Sequence, residues 1–337
     1  MIELLFFLIF SSLIIFFSKK FNLLPNYTGD EHQKFLSQKK VPLIGGLLIL
    51  FPTIYFFQNN VLLCITILII FLIGISSDTR IINSPKKRII LQLILIICSI
   101  LFLNIEISDT RIFILDYLLE IKLFNLFFCV FCIMILINGS NFIDGLNGLL
   151  LGYFLIILLI LLDLGYLIDI TNSQYLLLLL ISGIVFLLIL NLFNLLYLGD
   201  GGSYVIGFVL GYILIVVYNQ NVISPFFIIL LIWYLCFENL FSIIRKNSFK
   251  KSAINADNKH LHQLFFYFLN KKFIRSNLLS NNISSIIINI YNCIIIIIGS
   301  TDPKNTIFQI LLIILNITVY FIIYRYLFIF RFRKIKK

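Results

Sequence analysis

The stretch Asn138–Leu150, NGSNFIDGLNGLL, places three asparagines, one carboxylate and three glycines between two apolar runs of helix length. Polar clusters beside membrane spans are energetically costly and usually mark a functional site. Two further carboxylates, Asp78 and Asp200, also lie where an apolar run ends or begins. These patterns predict a helical membrane protein in which three carboxylates meet at one face of the membrane and handle phosphate.

Composition excludes a soluble fold. The chain has 337 residues, of which 61% are hydrophobic and 12% are charged. Soluble domains are roughly 45–50% apolar, so a soluble protein could not bury this much apolar surface. The apolar runs lack the alternation of apolar and polar residues that strands of a membrane β-barrel show. The predicted fold class is therefore all-α, with one polytopic integral membrane domain over residues 1–337.

The apolar runs predict ten or eleven transmembrane helices. Several runs are shorter than the ~20 residues that a straight helix needs to cross a bilayer, so flanking residues are expected to extend them. The first run has no basic segment before it, which indicates a permanent span rather than a cleaved signal peptide. The spans are expected near 2–17, 41–57, 61–75, 88–104, 123–137, 146–163, 175–196, 203–218, 225–243, 284–300 and 306–330.

Lysine and arginine divide the loops into two groups. Of 26 basic residues, all except Arg111, Lys122 and Lys304 lie in alternate segments or in the C-terminal tail. The positive-inside rule makes the basic side cytoplasmic, with the N-terminus outside and the C-terminus inside. The net charge of +11 then reflects topology, and no nucleic-acid partner is expected. The cytoplasmic loops expected to form the active site are 18–40, 76–88, 138–145, 197–202 and 244–283.

Three carboxylates, Asp78, Asp144 and Asp200, fall in three successive cytoplasmic loops, each about a turn from a helix end. Loops on one side of a helix bundle can converge, so these groups can share a site. Asn138 and Asn141, in the loop of Asp144, add amide oxygens. A cluster of negative charge needs a cation, and hard oxygen ligands with room for phosphate favour Mg²⁺, with Mn²⁺ as the alternative.

The segment Tyr197–Ser203, YLGDGGS, directly precedes an apolar helix. Gly201 and Gly202 would let backbone N–H groups approach an anion at the helix N-terminus. A simpler interpretation is that Asp200 or Ser203 only caps the helix. A cap alone does not explain the glycines around Asp200.

Basic and imidazole side chains surround these loops. Lys40 stands before a helix start containing proline and glycine, where it would face phosphate as a point charge. The basic run 85–88 is either a stop signal at the membrane face or a phosphate-binding loop beside Asp78. The pair His260 and His262 has three interpretations: it lies in a solvated loop, it binds a metal, or it contacts phosphate. Basic neighbours in 245–251 favour phosphate.

Taken together, residues 25–265 resemble the polyprenyl-phosphate N-acetylhexosamine-1-phosphate transferases, a family that includes phospho-N-acetylmuramoyl-pentapeptide transferase. The motifs occur in the family's order, and the ordered set is specific in combination. They are Val41–Gly46 for P-x-x-G-G, Gly74–Arg80 for G-x-x-D-D, Asn138–Leu149 for N-x-x-N-x-x-D-G-x-D-G-L, Leu198–Ser203 for G-D-x-G-S, Glu238–Lys246 for D-t-l-x-x-i-x-R-R, and Asp257–Gln263 for D-x-x-H-x-H-H.

The resemblance implies that a polyprenyl (undecaprenyl) phosphate attacks the β-phosphorus of a UDP-sugar, releasing UMP and starting a lipid-linked glycan of the cell envelope, such as an O-antigen. It implies a multi-pass protein of the inner membrane with a cytoplasmic active site. The expected partners are a UDP-N-acetylhexosamine, the lipid phosphate and the membrane, and a homodimer is left open. A plain UDP-N-acetylhexosamine is favoured over the muramoyl-pentapeptide because segment 247–262 is short.

The resemblance also implies roles for individual residues. Asp200 matches the Mg²⁺ ligand, and Asn141 matches an asparagine near the metal or the diphosphate. The family's catalytic positions correspond to Asp78, Asp144, Asp200, His260 and His262 in this chain. The two histidines are expected to lie near the diphosphate. Asn147 and Tyr197 match the positions that contact uracil.

Three positions depart from the family pattern. Ser77 replaces the first Asp of the D-D pair, Asn147 replaces an Asp, and Gln263 replaces the final His. The loss at Ser77 motivates one alternative, a family member without activity. A different class, an ion-coupled transporter, is disfavoured because its ionisable groups would lie near the bilayer midplane.

Overall fold

The computed structural model describes residues 2–24, 41–167, 170, 173–248 and 259–332. Within these ranges the chain forms thirteen α-helices and no strand. They are α1 Ile2–Phe21, α2 Gly45–Phe56, α3 Val61–Asp78, α4 Pro85–Leu103, α5 Phe113–Leu119, α6 Lys122–Ile143, α7 Leu149–Asp163, α8 Gln174–Leu192, α9 Gly199–Gln220, α10 Pro225–Ser248, α11 Leu261–Lys272, α12 Asn277–Ser300 and α13 Thr306–Phe332.

The all-α membrane fold is confirmed. Seven helices among the described residues are long and apolar enough to cross a membrane, and α2 and α7 are shorter apolar helices. Each of the eleven predicted spans coincides with a helix. The short helices α5 and α11 were not predicted, because they lie in segments that sequence patterns assigned to loops.

Helix α9 is the centre of the bundle and is buried along most of its length. It packs against α2, α3 and α6. Glycines make these contacts close: a Cβ on Gly46 of α2 would lie 2.6 Å from the backbone nitrogen of Gly202, and a Cβ on Gly207 would lie 2.6 Å from Cα of Ile137 in α6. Small residues at helix contacts are the usual basis of packing inside membranes.

This packing collects polar groups at the two ends of the bundle. The Asp200 end contains the C-termini of α3 and α6, the N-terminus of α9 and the start of α11. The Arg111 end contains segment 104–121 and the loops after α9 and α12. The described segments around Asp78, Asp144, Asp200 and His260 therefore converge. That the Asp200 end faces the cytoplasm stays a prediction.

Candidate functional site

The first turn of α9 is capped from another helix. Asp78, the last residue of α3, accepts hydrogen bonds from the backbone N–H groups of Asp200 at 2.9 Å and Gly201 at 3.1 Å. Leu198, at the N-cap position of α9, supplies no side-chain bond. A carboxylate at a helix N-terminus satisfies unpaired donors and complements the helix dipole. Because Asp78 is the cap, the side chain of Asp200 is left to other partners.

Glycine is required where α3 meets α9. Gly199 has φ = 70°, in the left-handed region that favours glycine. A Cβ at this position would also lie 2.6 Å from Oδ2 of Asp78. The glycine therefore allows both the turn into α9 and the approach of the capping carboxylate.

The Asp200 carboxylate is paired with a cation across the helix contact. Its Oδ2 lies 2.7 Å from Nη1 of Arg88 and accepts a hydrogen bond from Ser77 Oγ at 2.5 Å. Arg88 also donates to Ser77, and the Tyr204 hydroxyl lies 3.4 Å from the same carboxylate oxygen. The serine that stands in place of an expected carboxylate thus bridges Asp200 and Arg88.

Helix α6 reaches this cluster through an amide and a carboxylate. Ser203 Oγ donates to Oδ1 of Asn141 at 3.2 Å and approaches the carbonyl oxygen of Asp200 at 3.3 Å. Asp144 follows the last residue of α6 as its C-cap. Burial raises the pKa of Asp144 well above its ordinary value, and the negative charges of Asp200 and Asp78 raise it further. The three predicted carboxylates therefore lie within electrostatic reach of one another.

The donor set suits a hard divalent cation. The described residues contain no group of three or more His, Cys, Asp or Glu side chains arranged to hold a metal by themselves. Mg²⁺ commonly binds through one or two carboxylates, with waters and substrate phosphates completing the shell. Oxygens of Asp200 and Asn141 fit that pattern, and a cation beside them would offset the negative charges that, after burial, raise the pKa of Asp144.

The two histidines lie beside the Asp144 loop. His260 is the N-cap of α11, and its ring stacks on Phe142 at 5.3 Å and on His262 at 5.6 Å between centroids. His262 packs against Gly145, where a Cβ would lie 2.7 Å from its Nε2. Gln263 accepts a hydrogen bond from the backbone N–H of His260 at 3.3 Å.

The loop that contains Asn147 is held by amides from two other helices. The backbone N–H of Asn147 donates to Oδ1 of Asn281 in α12 at 2.8 Å. Gly148 donates to Oδ1 of Asn191 at 2.6 Å, and Asn289 donates to the carbonyl oxygen of Gly148 at 3.0 Å. Asn147 is buried, and its Nδ2 has no partner among the described residues. Buried amides of this kind are usually satisfied, so a ligand is the natural partner.

The other predicted site residues have mixed placements. Asn138 donates to Met134 of its own helix. The pKa of Tyr197 is raised to about 12 by burial, and its main chain binds Gly45 and Pro42. Gly201 and Gly202 pack against α3 and α2, and the Gly201 N–H is already bonded to Asp78. Ligand binding by these residues stays a prediction. Lys40 lies outside the described residues.

Sequence reasoning assigned no individual role to three residues that the structure brings to this end, although Glu238 begins one of the quoted motifs. Arg88 was part of a basic run, but its pairing with Asp200 links positions 112 apart in sequence. Glu238 contacts His260, and Asn281 supports Asn147. A carboxylate inside an apolar run, as at Glu238, was the available signal.

A protein-family model described as glycosyl transferase family 4 matches residues 60–218. The matched segment contains Asp78, Asp144 and Asp200 and ends before Glu238 and the two histidines. A search of curated proteins finds no matching sequence.

Proposed function

We propose that the chain, whose residues 60–218 match the model of glycosyl transferase family 4, is a polyprenyl-phosphate sugar-1-phosphate transferase with a UDP-sugar as donor and undecaprenyl phosphate as acceptor. The sugar that suits it best is an N-acetylhexosamine. The products would be undecaprenyl-diphospho-sugar and UMP. The observation that carries the proposal is the convergence of Asp78, Asp144 and Asp200, with Arg88 and the histidine pair, at one end of an apolar bundle.

The nucleophile in this reaction is an oxygen of the lipid phosphate. It forms a bond to the β-phosphorus of the donor, and the bond between that phosphorus and the UMP oxygen breaks, with UMP leaving as the anion. A phosphate monoester has a second pKa near 6, by analogy with phosphoserine, so it is largely ionised at neutral pH. No protein base is then required, which is consistent with Ser77 at the position of an expected carboxylate.

The groups at the Asp200 end would stabilise the negative charge of the reacting phosphates. Asp200 and Asn141 would hold Mg²⁺, which supplies positive charge to the diphosphate when bound. Arg88 and the histidine pair lie where they can bind phosphate oxygens, and Asp78 keeps the first turn of α9 in place. Positioned charges of this kind are usually the largest contribution to catalysis.

The uridine half of the donor is assigned to the buried loop around Asn147. Its unpartnered amide can donate to a uracil carbonyl, and Tyr197 supplies an aromatic face. Apolar helices beside the site would keep the polyprenyl chain in the bilayer while its phosphate reaches Asp200. The basic residues of the same end support a cytoplasmic face of the inner membrane.

The deciding experiment incubates membranes containing this protein with Mg²⁺, undecaprenyl phosphate and a panel of radiolabelled UDP-N-acetylhexosamines. Butanol-extractable label that appears together with UMP for one donor is the expected result. Failure of every donor to give either product, from protein that elutes as a folded species, would reject the proposal and favour an inactive family member. Omitting Mg²⁺, or replacing it with Mn²⁺, tests the cation in the same assay.

A further inference from the structure

Glu238 is a fully buried carboxylate inside the membrane-spanning helix α10. Ionisable groups at such positions are costly and usually functional. Its Oε1 lies 2.9 Å from Nδ1 of His260 and accepts the backbone N–H of Leu261 at 3.1 Å. Its Oε2 accepts the hydroxyl of Tyr320, from α13, at 2.8 Å. Three donors from two other helices therefore converge on one carboxylate.

The contacts of His260 leave only one ring nitrogen for a substrate. The ring stacks on Phe142 and on His262, and the Nδ1 edge faces Glu238. In an imidazole ring Nε2 lies away from Nδ1, so it points away from the carboxylate. A carboxylate can only accept, so Nδ1 must carry the proton in this contact.

We propose that Glu238 is a positioning residue that holds His260 with its proton on Nδ1 and presents Nε2 to the donor diphosphate. The proposal rests on the proposed function for its substrate, although the tautomer itself does not. Free histidine in water prefers the proton on Nε2, so the carboxylate imposes the less common form. The hydrogen bond on one ring nitrogen generally sets the role of the other.

Tyr320 gives this arrangement its rigidity. Its hydroxyl occupies the carboxylate oxygen that His260 does not use, and its ring packs on Phe237 at 4.9 Å between centroids. Helix α13 lies beyond the segment that matches the family model. The orientation of His260 thus depends on a helix for which neither the family match nor the sequence motifs assign a role.

A plain structural role for Glu238 is the competing explanation, because it also caps the start of α11 through Leu261. Nitrogen NMR separates the two. The chain has three histidines, so ¹⁵N-histidine-labelled protein in detergent gives few signals, and His32→Gln and His262→Gln variants assign them. Spectra are recorded without substrate, above neutral pH.

The wild type is expected to show a protonated Nδ1 at His260, and Glu238→Leu is expected to move the proton to Nε2. Glu238→Gln keeps an acceptor oxygen and should retain the wild-type spectrum. An unprotonated Nδ1 in the wild type, or a protonated one in Glu238→Leu, would overturn the proposal. If Glu238→Leu does not fold, the wild-type and Glu238→Gln spectra still decide.

Transfer assays test whether this orientation of His260 contributes to catalysis. Glu238→Leu should lower kcat about 10- to 100-fold, the usual effect of removing a group that orients a site histidine, while the KM for each substrate changes less than about twofold. Glu238→Gln should recover most of the rate, and Tyr320→Phe should lower kcat several-fold.

Tyr153→Phe is the matched control for Tyr320→Phe. Tyr153 is also fully buried, and its hydroxyl donates to the carbonyl oxygen of Leu231 on the same helix α10. It should keep the wild-type rate. Equal losses in both tyrosine variants would indicate only a structural role and overturn the proposal. An inactive wild type with the expected spectra would instead reject the proposed function and leave the tautomer assignment standing.

Discussion

The two ends of the helix bundle contain similar side chains and use them differently. At the Arg111 end, polar groups mainly tie loops to main-chain atoms. Arg111 donates to the carbonyl oxygens of Lys304 and Ile223 at 2.9 Å each, and Asp116 accepts from the N–H and the hydroxyl of Thr110. The contact of Arg111 with Lys304 is exposed, and the contacts with Ile223 and between Asp116 and Thr110 are partly buried.

At the Asp200 end, charged groups face one another. Burial and then the negative charges of Asp200 and Asp78 raise the pKa of Asp144, and Arg88 is the side chain that pairs with Asp200. Asp78 alone is used like the acids of the other end, as an acceptor for main-chain N–H groups. Polar side chains at the Arg111 end thus bind mainly main-chain atoms, whereas those at the Asp200 end are mainly charged groups that face one another. Ionisable groups gathered at the end of membrane spans usually indicate a functional site.

The largest expected effect comes from removing the charge of Asp200, and removal of one charge at the Arg111 end is its control. Asp200→Asn should lower kcat by about a hundredfold or more, because the carboxylate that would hold Mg²⁺ against the diphosphate is lost. Asp109→Asn, at the Arg111 end, neutralises an exposed carboxylate that accepts from the Tyr218 hydroxyl and should stay within about twofold of wild type. Rates from purified protein in detergent provide the measurement. Wild-type activity in Asp200→Asn would remove this residue from the site.

Carboxylates that accept main-chain hydrogen bonds at the two ends should separate stability from activity. Asp78→Ala removes a helix cap and Asp116→Ala removes a loop contact, and each deletes an acceptor of two hydrogen bonds. Each should lower the free energy of unfolding by about 1–2 kcal/mol. Only Asp78→Ala should also reduce turnover, by about tenfold, because it orients the turn that carries Asp200. Thermal unfolding and transfer rates are measured on the same samples, and equal activity in both variants contradicts this role for Asp78.

Adding a charge tests the cation site. Ser77→Asp places a second carboxylate beside Asp200 and should lower the Mg²⁺ concentration for half-maximal rate by about three- to tenfold, or roughly 1 kcal/mol. Ser108→Asp adds the same charge at an exposed position of the Arg111 end and serves as the control. The readout is a Mg²⁺ titration of initial rate. An unchanged midpoint in Ser77→Asp would mean that the cation does not bind near Asp200.

The smallest effect is expected at the Arg111 end itself. Arg111→Ala removes hydrogen bonds to Lys304, Thr306 and Ile223, and should lower the free energy of unfolding by about 1 kcal/mol, since net contributions of such bonds are modest. Thermal unfolding should shift by a few degrees while kcat and KM stay at wild-type values. A large loss of activity would show that the two ends are coupled through the bundle.

Much of this site could be predicted from the chain because its groups stand at the ends of apolar runs. Asp78, Asp144 and Asp200 each mark such an end, and the bilayer forces successive helix ends to alternate between two faces. What could not be predicted is the use of each group. Asp78 was expected to take part in chemistry, and the structure shows its two oxygens capping α9, a role considered only for Asp200 and Ser203.

By itself the sequence determined the helical membrane fold and the positions of its long apolar helices. Those properties follow from local composition, since a long apolar run must cross the bilayer and satisfy its backbone as a helix. Only the tertiary structure decided that Arg88 pairs with Asp200, that Asn281 supports Asn147 and that Glu238 and Tyr320 hold His260. These partners are far apart in the chain, and helix packing alone brings them within the few ångströms over which hydrogen bonds form.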